Sequence, residues 1–224
     1  MKVFVGAPVR NRAWVLPRHI NAIKRQKEVS MKFCYIVNDC EDNTEAVLQN
    51  YGIHYVVHNL NSGHGHVRGQ YSYESLAALR NVLLDKFLES DCDYLFSCDT
   101  DIIIPDGSLK QLIEDDKDIV AMIIRNHPTI MAHNVMVKPN PGAAAQHMQH
   151  IPRGLFQCHL TGAVYLIKRK VIEAGVRYKP SKVGEDWLFC EDAMSKGFTL
   201  WADTRLQAIH AYDQHLDLFP AVER

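Results

Sequence analysis

Strand-like and helix-like segments alternate over the first two-thirds of this chain, and no other feature limits its fold as much. "KVFVGAPV" is a short β-prone run. It leads into a helical pattern from about Trp14 to Lys27, with Leu16, Ile20 and Ile23 on one face and Lys24, Arg25 and Lys27 on the other. "KFCYIVND" reads as the second strand. Asn43 or Thr44 can cap a short helix, "EAVLQNY", and Gly52 suits its end. "IHYVV" is the third strand. After a Gly/His loop that includes "SGHGH", Ser72 to Glu89 read as a helix with Leu76, Leu79 and Leu83 at core spacing. "DYLFSC", "SLKQLIED" and "DIVAMII" continue as strand, helix and strand. Such alternation predicts an α/β fold, a mainly parallel central sheet with helices on both faces.

The pattern breaks at Asn126. From there to Gly154 the chain is rich in His, Pro, Asn and Gly and has no period. A loop of that length inside a compact domain is functional or mobile as a rule, so a mobile or functional loop is expected over 126–154. His127, His133, His147 and His150 match no metal-binding spacing and read as loop residues. Regularity returns in "FQCHLTGAVYLIKRKVIEAG", a strand and a short helix ending at Gly175. A helix from about Glu185 to Lys196, closed by Gly197, follows it, and "FTLWADTRLQAIH" is the last extended segment. With no repeat or linker, 1–224 is expected to be one domain.

At 224 residues the chain can bury a sizeable core. It is 47% apolar and 23% charged with a net charge of −1, which does not indicate nucleic acid as a partner. "MKVFVGAPVRNR" has too short an apolar run for a signal peptide, and no stretch approaches the ~18 apolar residues of a membrane span. Cys34, Cys40, Cys92, Cys98, Cys158 and Cys190 include no C-x-x-C pair and read as thiols in a reducing compartment. A cytoplasmic location is the expectation.

Within this frame, "YLFSCDTDIIIPDG" places Asp99 and Asp101 where a β-run ends and a turn begins. Parallel α/β sheets bind ligands beyond the carboxyl ends of their strands. Two hard oxygen donors there suit Mg²⁺ or Mn²⁺, although the same pair can serve as turn carboxylates capping local amides. "GAPVRNRAW" after strand one is neither G-x-G-x-x-G nor a P-loop. Its Arg10 and Arg12 can meet anionic groups or be ordinary exposed arginines. Asn38 and Asp39 end strand two, able to bond a base or ribose or merely to turn the chain. In "VGEDWLFCEDAMSKG", Glu185 and Asp186 fall in a first helical turn, where acids are favourable with the helix dipole. A carboxylate at such a position beside a cleft can also act as general base. Glu191 and Asp192 are expected to be solvated. His210 can complete an oxygen-rich Mn²⁺ site or be structural.

The order "APVRNR", "VNDCEDNT", "LAALRN", "CDTD", "TGAVYLI", "GEDWLF" and a late His resembles the GT-A glycosyltransferases of the family 2 type over roughly Lys2 to His210. The resemblance implies a nucleotide-diphospho-sugar transferase fold in one domain, 1–224, with a nucleotide-sugar-binding half at 1–125 and an acceptor-side half at 126–224 whose loop 126–154 would be a mobile lid. Pro8, Arg10 and Asn11, with Asn38 and Asp39, would hold the nucleoside of a UDP- or GDP-sugar. Arg80 takes the place of a donor-site arginine, and Thr100 and Gly162 line the donor. Asp99 and Asp101 form the D-x-D that contacts ribose and metal, and His210 matches the late metal-ligand histidine. Glu185 and Asp186 match the "ED" motif, whose aspartate is the base in inverting members. The second-strand motif is one residue shorter than "DDGSxDxT", with Asn38 where Asp is common. The acceptor stays open.

A sugar nucleotidyltransferase would share the layered fold and metal but needs a Gly-rich, Arg- and Lys-bearing loop after strand one, which "GAPVRNRAW" does not provide. A glycoside hydrolase also uses paired carboxylates but needs no nucleotide site. A non-catalytic nucleotide- or carbohydrate-binding module is opposed by intact Asp101, Asp186 and His210.

Overall fold

The computed structural model describes residues 1–62, 72–140, 142–148 and 150–220. The "SGHGH" stretch beyond Ser62 lies outside them. The chain opens with β1 (Lys2–Gly6), β2 (Pro8–Val9), α1 (Leu16–Lys24), β3 (Ser30–Phe33), β4 (Tyr35–Val37), α2 (Thr44–Asn50), β5 (Tyr55–Val57) and α3 (Tyr73–Leu88). Then come β6 (Tyr94–Cys98), β7 (Ile102–Ile103), α4 (Ser108–Glu114) and β8 (Ile119–Ile123). The remainder holds β9 (Val135–Val137), β10 (Gln146–His147), β11 (Leu155–Cys158), β12 (Leu160–Thr161), β13 (Val164–Lys168), α5 (Arg169–Glu173), α6 (Glu185–Ser195), β14 (Leu200–Gln207), β15 (Ile209–Asp213) and β16 (Leu216–Leu218).

A seven-stranded sheet in the order β11-β14-β8-β13-β6-β1-β3 forms the centre. β14, β8, β6, β1 and β3 run one way, and β13 and β11 run against them. The sheet is therefore mixed but largely parallel, with layers on both faces. Period-two alternation divides its side chains: Phe4, Ile119 and Ala121 face α3, α5 and α6, while Val3, Val5, Val120 and Met122 face α1 and α4.

Helix signals act as the sequence implies. Ser72 caps α3 by accepting from Ser75 N at 3.1 Å. Leu16, Ile20 and Ile23 of α1 are buried. Neither candidate cap of α2 works through its side chain: Thr44 Oγ1 accepts instead from Arg12 N at 2.8 Å, and Asp42 accepts from Thr44 N.

Several extended segments divide where one strand was expected. "KFCYIVND" breaks at Cys34 into β3 beside β1 and β4 beside β2. The ladder continues through the break, because Cys34 N donates to Val5 O at 2.9 Å and Ile36 N to Ala7 O at 3.1 Å. "FTLWADTRLQAIH" divides at Ala208: β14 stays in the central sheet and β15 leaves to pair with β7. The segment from "FQCHLTG" contains β11, β12 and β13 rather than one strand.

Over 126–154 the expectation of an irregular loop is corrected. β9 lies between β10 and β12 in a small antiparallel sheet, so His147 is a strand residue and His133 is 4% exposed. Buried Asn134 anchors this sheet, accepting from Ile124 N at 2.9 Å and donating to Met122 O and Gly162 O at 2.9 and 3.1 Å. Asp192 is not solvated either. Its side chain is 10% exposed and bonds Lys179 and Lys196 at 3.0 and 2.8 Å.

Candidate active site

A cleft of about 600 Å³ opens along one edge of the central sheet. β1 and β6 end at this edge, β13 begins there, and α6 starts there, so residues distant in sequence converge. Pro8, Arg10, Asn38, Arg80, Asp99, Thr100, Asp101, Gly162, Glu185, Asp186 and His210 all line the cleft. Asn11 and Asp39 are not part of the lining.

Arg80 organises the cleft floor. It is 4% exposed. Its Nε donates to Glu185 Oε1 at 2.8 Å, and its Nη2 donates to Asp99 Oδ1 at 3.0 Å. A buried guanidinium cannot shed its charge, so its two carboxylates satisfy it. Asp186, next to Glu185, accepts from the Tyr165 hydroxyl at 3.1 Å through Oδ1. Burial, and then the Glu185 charge, push the Asp186 carboxyl up to about 8 against the pull of Arg80, with Asp99 adding to the rise. Burial also raises Asp99 against Arg80, with Asp101 and Glu185 contributing. Gly162 makes room for this carboxyl: a Cβ there would stand 2.1 Å from Asp186 Oδ2.

Asp101 faces a different set of groups. Its Oδ2 lies 3.7 Å from Arg12 Nη2 and 3.8 Å from His210 Nε2. His210 Nδ1 bonds Arg125 O at 2.9 Å. A carbonyl can only accept, so the hydrogen of the neutral ring sits on Nδ1, leaving an acceptor lone pair at Nε2 toward Asp101. The turn bearing Asp101 is fixed from below by His19, whose Nδ1 bonds Ile102 O at 2.8 Å and whose Nε2 bonds Tyr35 OH at 2.7 Å. Burial pushes His19 down to about 4, which keeps it neutral in that role.

This donor set fits a hard divalent ion that takes one carboxylate and one imidazole from the protein and its other ligands from phosphate and water. Among the described residues, no three His, Cys, Asp or Glu side chains converge on one point suited to a metal. Asp99 turns to Arg80, so it does not join Asp101 and His210 in such a group.

The expected nucleoside side is arranged by loop contacts. Asp39, at φ 44°, accepts from Asn61 N and Ser62 N, both at 3.1 Å, and Arg10 Nη1 donates to Ser62 O at 3.0 Å. Asn38 Nδ2 donates to His58 O at 3.1 Å, and Asn11 Oδ1 accepts from Glu41 N at 2.8 Å.

Sequence reasoning missed Tyr165, Tyr178, Asn81, Asn134 and His19. The only local signal was the position of Tyr165 and Asn81, each within three residues of a singled-out residue, Gly162 or Arg80.

The architecture is that of the GT-A fold, as the likeness to solved structures shows. The chain resembles A197 from STIV over its full length and 92% of that chain, with a TM-score of 0.61 at 20% identity. It resembles S. aureus TarS 1-349 in complex with UDP-GlcNAc over 96% of this chain and 62% of that one, with a TM-score of 0.59 at 14% identity. It also resembles the mannosyltransferase PcManGT from Pyrobaculum calidifontis in complex with GDP-Man and Mn²⁺, covering 90% of this chain and 54% of that one, with a TM-score of 0.56 at 14% identity. No family model matches the chain. Among curated proteins it is 25% identical over 146 residues to procollagen-lysine,2-oxoglutarate 5-dioxygenase 1 of Gallus gallus. It is 25% identical over 130 residues to procollagen-lysine,2-oxoglutarate 5-dioxygenase of Drosophila melanogaster. The matches cover 60% and 55% of this chain but only 20% and 18% of those relatives. Among the described residues, no helix is long and apolar enough to cross a membrane.

Proposed function

We propose that this protein is a glycosyltransferase that moves a sugar from a nucleotide-diphospho-sugar to an acceptor hydroxyl. The observation that carries this reading is one cleft holding a buried arginine with two acid partners and, beside them, a separately held carboxyl raised to about 8. A carboxyl raised in this way titrates near neutral pH, as a general base should. The complexes of TarS with UDP-GlcNAc and of PcManGT with GDP-Man support a UDP- or GDP-sugar donor.

Asp186 takes the proton of the acceptor hydroxyl as its oxygen attacks the anomeric carbon, and this single displacement inverts the anomeric configuration. Glu185 is bound to Arg80, so its role is to hold that cation and to keep Asp186 basic. Arg80 meets the donor through Asp99, and Arg10 and Arg12 offer charge to its diphosphate. Asp101 and His210 would hold Mn²⁺ or Mg²⁺, which stabilises negative charge on a departing nucleoside diphosphate.

Thermal-shift titration with UDP and GDP, with and without Mn²⁺, tests the donor site. One of the two nucleotides should raise the melting temperature, more with Mn²⁺ than with EDTA, and Asp101→Asn should remove the metal-dependent part. No stabilisation by either nucleotide would sink the reading. Asp186→Asn should lower turnover ~10²–10⁴-fold and leave nucleotide affinity unchanged.

A further inference from the structure

We infer that Tyr165 and Tyr178 are positioning residues that leave Oδ2 of Asp186 as the oxygen that receives the acceptor's proton. This rests on Asp186 being the base proposed above. The Tyr165 hydroxyl has one hydrogen, and it is directed to Asp186 Oδ1 at 3.1 Å. The hydroxyls of Tyr165 and Tyr178 also bond each other. With the Tyr165 hydrogen already committed, Tyr178 is the donor of that second bond. The order is Tyr178 to Tyr165 to Asp186 Oδ1.

The outer tyrosine is held on three sides. Asn81 donates to Tyr178 O at 2.9 Å and accepts from Tyr178 N at 3.0 Å. The Tyr178 ring stacks on Phe189 at 4.3 Å between centroids, and the Arg80 guanidinium lies 5.7 Å from its centre. Phe189 is on the same helix as Asp186, and Asn81 follows Arg80. The two helices that bring the charges together therefore also lock the tyrosines.

The other carboxyl oxygen, Oδ2, lies over Gly162 on the cleft wall, where any Cβ would displace it. When the acceptor O–H bond breaks, the proton goes to Oδ2 and the hydroxyl oxygen's electron pair forms the bond to the anomeric carbon. The bond from that carbon to the diphosphate breaks, and its electron pair leaves with the nucleoside diphosphate. Among the described residues, the ionisable groups facing Asp186 include Glu185 and Cys190 on its own helix, Arg80 from α3, Asp99 after β6, Tyr165 from β13, and Tyr178.

Carboxyl ¹³C NMR of aspartate-labelled protein tests the inference, with Asp186→Asn identifying the Asp186 signal. Tyr165→Phe should raise the Asp186 titration midpoint by about one pH unit, the tenfold worth of an ordinary hydrogen bond. Tyr178→Phe should move it the same way by less. An unchanged midpoint in Tyr165→Phe overturns the inference, whatever happens to the melting temperature. If that variant does not fold, Tyr178→Phe carries the test by the same criterion. In parallel, nucleoside diphosphate release from UDP-GlcNAc and GDP-mannose, with water as acceptor, is measured for the wild type and Asp186→Asn. Equal release by the two removes the base and the positioning role with it. Lost release in Asp186→Asn, with unmoved midpoints in both tyrosine variants, removes the positioning role alone.

Discussion

The cleft cluster and a second cluster at the end of β14 are each built from one arginine and two aspartate or glutamate side chains, yet they are buried in opposite senses. Arg80 has 5% of its side chain exposed, and its partner Asp99 keeps 32% exposed at the cleft. Arg205 is half exposed and closes over Asp115 and Asp203, whose side chains are 3% and 0% exposed. Arg205 Nη2 lies 2.6 Å from Asp115 Oδ1 and 2.8 Å from Asp203 Oδ2.

The difference follows from which group can give up its charge. A buried guanidinium stays charged, so Glu185 and Asp99 are held as its counter-charges. Asp186 is then a third acid with one cation to share; burial first, and then the Glu185 charge, raise its proton affinity. A carboxyl can take up a proton, so Asp115 tolerates burial under a cation that stays half in water. Burial, followed by the Asp203 charge, raises Asp115. Asp115 caps the end of α4 and Asp203 lies on β14, so this second cluster clasps helix to sheet. Exposure of an acid to a cleft, and not the set of charges, separates the reactive cluster from the structural one.

The largest expected effect contrasts the two arginines. Arg80→Met leaves Glu185 buried without its cation and should cost ~3–5 kcal/mol of stability. Arg205→Met should cost less, because its charge is half solvated and Asp115, already raised, can hold a proton. Urea unfolding of both variants measures this, and equal losses would break the comparison.

A smaller effect separates geometry from charge. Gly162→Ala drives a Cβ into Asp186 Oδ2 and forces that carboxyl off its Tyr165 bond. A misplaced base should slow turnover by ~10²-fold with little loss of stability. Single-turnover rates should show this in Gly162→Ala and show wild-type behaviour in Arg205→Met. A fast Gly162→Ala would mean that the base does not depend on this seat.

A third contrast lies in the pH dependence of stability. Folded Asp186 keeps its proton up to about 8, whereas the unfolded chain releases it near the ordinary 3.8. Between these values the folded state binds more protons, so this group's contribution to stability falls as pH rises. Asp186→Asn should therefore gain stability relative to the wild type at pH 8 but not at pH 4. Asp115→Asn should change in the same direction by less, since Asp115 is also raised. Urea midpoints at the two pH values check both. A gain confined to pH 4 would reverse the assignment of which acids are raised.

Local spacing determined much of this protein. The alternation of periods two and 3.6 specified an α/β fold with a largely parallel sheet. The helix opening near Ser72, the start of α6 at Glu185 and the strand end before Asp99 followed from residue types within a few positions of one another. Those signals placed the acids at element ends, where a cleft forms. Only the tertiary structure decided their partners. Arg80 and Glu185 are 105 residues apart, and no local pattern pairs them. Tyr165 gains a role only where Tyr178 and Asp186 are brought against its hydroxyl. β13 inserts antiparallel between β6 and β8, although its sequence reads like that of its parallel neighbours. The two- and three-residue strands of 126–154 are too short to show a period; β9 takes its structure from pairing with β12, and β10 from pairing with β9. Helix and strand propensities are written in a window of a few residues. Register, burial of a cation and the choice of its counter-charges depend on which distant segments share a core, so they emerge only when the sheet closes.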